Sequence, residues 1–182
     1  MPRRTVDERI AEHNRFMLLR HEHFRLAARY VADRFAACAA VEKVVLFGSV
    51  AKPLTQEISR RRSLRHHGAT VWHQCKDIDL AVWVNDLSCL GALQKARGQA
   101  VNNLMREREI GVAHHQVDVF IIEPGSDRYL GGLCTFGTCP KGKPQCQAPG
   151  CGTTPLLRQH EGFTFDPKSI AAEFAITLYE RG

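Results

Sequence analysis

The chain has 182 residues, which suits one domain, or one domain with a small appendage, and is long enough to bury a proper core. A hydrophobic content of 44% with 24% charged residues belongs to soluble globular proteins, and no apolar run is long enough to span a bilayer. The net charge of +6 and the isoelectric point near 9.1 favour anionic partners such as nucleotides or RNA, and equally suit a merely solvated surface. The first residues, MPRRTVDERIAEHN, lack the apolar core of a signal peptide, so the expectation is a cytoplasmic protein with no membrane partner.

Thr5 followed by Glu8 forms a capping-box pattern, and Ile10, Met17, Phe24, Ala28, Val31 and Phe35 recur behind it at helical spacing. They predict one long amphipathic helix up to Ala37, with Arg15, Arg20, Glu22, Arg25 and Arg29 on a solvated face. Val41 to Phe47 is a nearly continuous apolar run, as expected of a strand buried on both faces. Gly48-Ser49 then opens a turn into a short helix, which Lys52-Pro53 ends because proline cannot occupy a helix interior.

Residues 54–75 read as a basic insertion carrying Arg60, Arg61, Arg62, Arg65, His66 and His67. Its two readings are a flap that contacts phosphate and a solvated loop. Ile78, Leu80, Val82 and Val84 alternate with Asp77, Asp79, Ala81 and Trp83, the two-residue period of a strand. Ser88 to Glu107 predicts a helix with Leu90, Leu93, Ala96, Ala100 and Leu104 on one face. Val117 to Ile122 is a third strand, closed by Glu123-Pro124-Gly125. Asp166-Pro167 has the composition of a helix start, and Phe174 to Tyr179 that of a last strand.

The carboxylates of these strands suggest a chemistry. Asp77 and Asp79, two residues apart on a strand, point the same way, and Asp118 on another strand can complete a cradle. Hard divalent cations take oxygen ligands, and magnesium uses one or two carboxylates together with phosphate oxygens and water. The glycine at 48 allows close approach of a phosphate, with backbone amides and the Ser49 hydroxyl as donors and Lys52 as an added positive charge. Such a set suits a nucleoside triphosphate with its metal ions and an in-line displacement at phosphorus.

The stretches LFGSVAK, KDIDLAVWV and QVDVFII, in that order, resemble the DNA polymerase beta-like nucleotidyltransferase superfamily over roughly residues 41–123. The resemblance implies an α/β (α+β) fold: a nucleotidyltransferase-type mixed β-sheet flanked by helices, as one domain over residues 1–182. It implies a transferase that moves a nucleoside monophosphate from a triphosphate to a hydroxyl of a small molecule, an RNA or a protein, with Mg2+ or Mn2+ as cofactor. Gly48 and Ser49 would bind the triphosphate, Asp77 and Asp79 the metal, and Asp118 would orient or deprotonate the acceptor. Two departures stand out. Here 27 residues separate Ser49 from Asp77, where the family keeps a short link, and Ala51-Lys52-Pro53 replaces the usual Ala-Arg-Gly. Other readings are a toxin or antitoxin of a two-gene pair, with a partner protein, and a catalytically silent nucleic-acid-binding module.

Seven cysteines are many for a cytoplasmic chain. Cys134, Cys139, Cys146 and Cys151, spaced C-x4-C-x6-C-x4-C, lie in a Cys-rich loop over residues 130–155, of which Cys134 to Gly152 is too rich in Gly, Pro and Cys for regular structure. Four thiolates so close can wrap a structural zinc; two disulfides or free thiols are the alternatives, and His114 or His160 could replace one thiolate. Lys141, Lys143 and Arg158 around it suggest a basic knob for RNA or a protein. Cys38, Cys75 and Cys89 read as packing residues.

Overall fold

The computed structural model describes residues 5–54, 72–135, 154–158, 164–173 and 175–182. Most of the basic insertion and most of the Cys-rich loop, including Cys139, Cys146, Cys151, Lys141 and Lys143, lie outside the described residues, as does His160. The architecture is mixed α+β, with a six-stranded mixed sheet flanked by helices.

Helix α1 spans Val6–Ala36 and begins as its sequence dictates. The Thr5 hydroxyl accepts from the Glu8 amide, and the Glu8 carboxylate accepts from the Thr5 amide. Strand β1 (Val41–Phe47) runs into the short helix α2 (Gly48–Ala51), which Lys52 caps in extended conformation ahead of Pro53. Strand β2 (Ile78–Val84) leads through a single 3-10 turn into helix α3 (Leu90–Arg108) and then strand β3 (Val117–Ile122). Strands β4 (Tyr129–Leu133), β5 (Leu157–Arg158) and β6 (Ile176–Glu180) complete the sheet. Asp166 caps a 3-10 turn over Pro167–Ile170, a shorter element than a full helix.

The strand order is β5-β4-β3-β2-β1-β6. Only β2 and β3 run parallel, because α3 carries the chain back across the sheet between them; the other neighbours are antiparallel.

The two faces of the sheet are covered differently. Val44 and Leu46 of β1, Leu80 and Val82 of β2 and Val119 and Ile121 of β3 pack under α1 and α3. Phe24, Ala28, Val31, Phe35, Leu93 and Leu104 meet them there. The opposite face holds Val45, Phe47, Ala81, Trp83 and Ile122, with Phe120, Tyr129, Phe165 and Ile170 against them. Phe47 meets Phe120 edge-on at 5.2 Å between ring centroids, and Tyr129 stacks on Phe165 at 5.4 Å.

Ala81 and Trp83, on the face of β2 opposite Leu80 and Val82, are buried by a second apolar cluster that the C-terminal segment helps to build. Two expectations are corrected. The start of the Cys-rich loop is regular, since Tyr129–Leu133 pairs with both β3 and β5 despite its two glycines. Arg20 and Arg25 are not simply a solvated face of α1, because both reach backbone carbonyls of other segments. Cys75 is buried as expected, whereas Cys38 and Cys89 are only half-buried. Burial and the neighbouring Cys38 push the Cys89 thiol up to about 12.

Candidate active site

The candidate carboxylates meet because two strand registers coincide. Phe47 at the end of β1 pairs with Asp79 on β2, and Asp79 pairs with Asp118 on β3. Paired residues point to the same side of a sheet, so Asp79 and Asp118 stand side by side on the face away from α1 and α3, about 4.8 Å apart at the backbone. Asp77 immediately precedes β2 and joins them from the strand's end. Asp77 and Asp79 are half-buried, and Asp118 is exposed.

Gly48 packs directly on Asp79. Its φ is +73°, a left-handed conformation that side chains disfavour, and a Cβ there would lie 2.3 Å from Asp79 Oδ2. Only a residue without a side chain permits both the sharp turn from β1 into α2 and the approach of the Asp79 carboxylate. Gly48 at the strand end is therefore part of the carboxylate site as well as of a turn. Lys52 stands at the opposite, C-terminal end of α2 from Gly48 and Ser49.

The turn is braced from behind by α1. Arg25 donates from Nε to the Val50 carbonyl at 3.0 Å and from a terminal nitrogen to the Ala51 carbonyl at 2.9 Å. His21 donates from Nε2 to the Lys52 carbonyl at 3.1 Å. These bonds satisfy carbonyls that end a helix too short to do so internally. Arg20 donates to the Cys75 carbonyl at 2.8 Å and so holds the segment leading into Asp77. His73 and Cys75 both approach the Ser49 carbonyl, at 3.5 and 3.7 Å. Burial, then Arg25, lowers the His21 pKa, so this imidazole is held neutral. Burial raises the Cys75 thiol.

Clustering of like charges marks the site electrostatically. Burial first, then Asp118 and Asp77, push the Asp79 carboxyl up to about 7. A divalent cation would relieve this repulsion. Among the described residues no group of three His, Cys, Asp or Glu side chains is by itself arranged to hold a metal ion. The donor set still fits magnesium, which binds through one or two carboxylates and completes its shell with phosphate oxygens and water.

Arg97 of α3 is an unexpected neighbour. It is fully buried, donating to the carbonyls of Val117 at 3.3 Å and Cys134 at 3.0 Å. It thereby ties the residue before Asp118 to the end of β4. Burial lowers its pKa, and the nearby Asp118 and Cys134 oppose that shift. Cys134, the first residue of the proposed zinc set, is buried with a free thiol.

Beside Asp118 opens a cavity of about 290 Å3 between β3, β4 and β5. A larger one, of about 450 Å3, lies towards the other end of β2 and is lined by Trp83, Lys43 and Asp127. The Trp83 indole donates to Asp127 there at 2.7 Å, four residues beyond Asp79 along the strand. The cavity adjoining the carboxylates is the one within reach of the proposed chemistry.

The bracing residues were not legible as site residues in the sequence. Their partners are backbone carbonyls 25 to 55 residues away, to which no side-chain pattern points. The composition of KDIDLAVWV and QVDVFII did mark the carboxylates. No helix among the described residues is long and apolar enough to cross a membrane. Compared with known proteins, the chain matches no family model, no curated protein and no solved structure.

Proposed function

We propose that the protein is a metal-dependent nucleotidyltransferase that moves a nucleoside monophosphate from a triphosphate to a hydroxyl. The observation that carries the reading is the row formed by Asp79 and Asp118 on parallel strands, with Gly48 packed on Asp79 at the mouth of a strand-to-helix turn. Burial of Asp79, with Asp118 and Asp77 beside it, raises its pKa to about 7, a cost that a bound cation would relieve.

In this reading Asp77 and Asp79 hold Mg2+ or Mn2+, and the amides after Gly48 with the Ser49 hydroxyl bind the triphosphate. The metal, when bound, would offset charge on the triphosphate and favour ionisation of the attacking hydroxyl. Asp118, the more exposed carboxylate, orients the acceptor hydroxyl and takes its proton. The acceptor oxygen bonds to the α-phosphorus, the bond to the β-phosphate breaks, and pyrophosphate leaves. Arg25 and His21 keep the Gly48–Lys52 turn in place, so the phosphate-binding amides need not reorganise during the reaction.

A structural zinc on Cys134, Cys139, Cys146 and Cys151 belongs to the same proposal, since thiolates are the ligands of closed zinc sites. Zinc near one equivalent in protein purified without chelator supports it, and less than a tenth of an equivalent removes it.

Calorimetric titration of ATP, CTP, GTP and UTP, each with Mg2+ or Mn2+, tests the central claim. Binding that requires the metal and is lost in the double variant Asp77→Ala/Asp79→Ala supports it. Binding unaltered in that variant, or no metal-dependent binding of any of the four, rejects it.

A further inference from the structure

The cavity of about 290 Å3 beside Asp118 has a composition that bears on the acceptor. It is lined by Asp118, Phe120, Gly132, Leu133, Thr135 and Arg158, among others. Its shape follows from sheet register. Phe120 on β3 pairs with Gly132 on β4, and Gly132 pairs with Arg158 on β5. These positions form one row on the face that carries Asp118, one residue pair further along the sheet. The middle position has no side chain, so the space above β4 stays open between Phe120 and Arg158, about 10 Å apart at two strand spacings.

Gly131 serves the same construction. At φ +149° its missing Cβ would lie 2.9 Å from the Arg158 carbonyl and 3.0 Å from the Leu157 side chain. Any larger residue would push β5, and Arg158 with it, away from the cavity. Arg158 itself is exposed. The cavity thus has a carboxylate at one end, a guanidinium at the other and the Phe120 ring between them.

We infer that this cavity binds the acceptor of the proposed reaction, and that the acceptor is a small hydroxylated phosphomonoester whose phosphate is held by Arg158 while its hydroxyl faces Asp118. The inference rests on the nucleotidyltransferase reading for the role of Asp118, whereas the binding of the anion stands on the cavity alone. Guanidinium pairs with phosphate through parallel charge-assisted hydrogen bonds, and a neutral polyol offers it no such partner. The volume accommodates about one sugar phosphate, being at the small end of ligand pockets. The reaction balances without another reactant: the acceptor oxygen bonds to the α-phosphorus, its proton goes to Asp118, and pyrophosphate departs. The product is a phosphodiester-linked nucleotide that retains the acceptor's original phosphate.

Direct binding tests the cavity separately from turnover. Ribose 5-phosphate, glucose 6-phosphate and glycerol 3-phosphate are titrated beside ribose, glucose and glycerol into the full-length protein, Arg158→Ala and Arg158→Lys. At least one phosphorylated probe is expected to bind tenfold or more tightly than its neutral counterpart. Arg158→Ala is expected to remove that preference, Arg158→Lys to restore part of it, and metal-dependent triphosphate binding to stay unaltered in both. Equal binding of phosphorylated and neutral probes, millimolar or weaker binding of all of them, or a preference that survives Arg158→Ala overturns the inference. Label from an α-labelled triphosphate appearing only on RNA or protein also overturns it, while leaving the proposed activity standing. Loss of triphosphate binding with retained Arg158-dependent phosphate binding overturns the activity and keeps the anion site.

Discussion

The two faces of the central strands share a backbone but differ in what their side chains do. Towards α1 and α3, Leu46, Leu80, Val82, Val119 and Ile121 form a continuous aliphatic core with exposures of 0–2%. On the other side the same strands carry the buried Phe47 and Ala81 beside the half-buried Asp79 and Phe120 and the exposed Asp118. The closed face can meet the conformational cost of ordering the chain through burial of apolar area. The other face can then tolerate Asp79, whose carboxyl is raised by burial and by the neighbouring Asp118 and Asp77 at a cost to folding. Strand alternation is what allows one segment, IDLAVWV, to contribute to both.

The comparison breaks most severely if the closed face is damaged. Leu80→Ala is expected to lower stability by about 2–5 kcal/mol, as a fully buried leucine leaves both lost contacts and a cavity. Chemical denaturation with a constant slope would measure it. A loss below about 1 kcal/mol would show that the aliphatic face is not the main source of stability.

Asp79→Asn, one residue away on the other face, is expected to act with the opposite sign. The folded carboxyl has a pKa of about 7 against 3.8 unfolded, so the native state binds more protons between these values. Stability of the unliganded protein therefore falls as pH rises from about 4 to about 7 and is level above that. At pH 8 the asparagine should be more stable by at most about 4 kcal/mol, the size of a three-unit shift before solvent screening is considered. The gain should vanish at pH 4, and the variant should lose metal-dependent triphosphate binding. Thermal melts at both pH values, with and without Mg2+, would sharpen the contrast between the faces. In the unaltered protein Mg2+ affinity should weaken towards tenfold per unit as pH falls below about 7, because the cation and the proton compete for Asp79.

Gly48→Ala is expected to destabilise by about 2 kcal/mol through its left-handed backbone and the contact with Asp79. Its effect on the site should be larger than its effect on the fold, with nucleotide binding reduced at least tenfold as the carboxylate is displaced. The smallest effect is expected for Arg25→Ala, about 1 kcal/mol for two partly solvated hydrogen bonds to carbonyls. Calorimetry should show weaker triphosphate binding in this variant, with Mg2+ affinity little altered, since α2 and not the carboxylate row loses its support.

The elements were largely legible because they depend on local rules. Thr5 and Glu8 start α1, the runs Val41–Phe47 and Val117–Ile122 are strands at those bounds, and Pro53 follows the end of α2. β4 was not legible, because Gly131 and Gly132 suggest a loop until β5 is seen to pack against them. Arg158 was grouped in sequence with Lys141 and Lys143 as part of a basic knob, yet its strand register points it towards the Asp118 cavity.

By itself, then, the sequence determined the helices, the main strands and the identity of the acidic residues, since capping, period and residue chemistry act within a few positions of one another. Tertiary structure decided which residues share a site. The Phe47–Asp79–Asp118 row comes from register between strands, the bracing of α2 from Arg25 and His21 on a distant helix, and the second apolar cluster in part from the C-terminal segment. Register and helix docking minimise free energy over the whole molecule, so contacts between residues tens of positions apart leave no periodic trace in the chain that makes them.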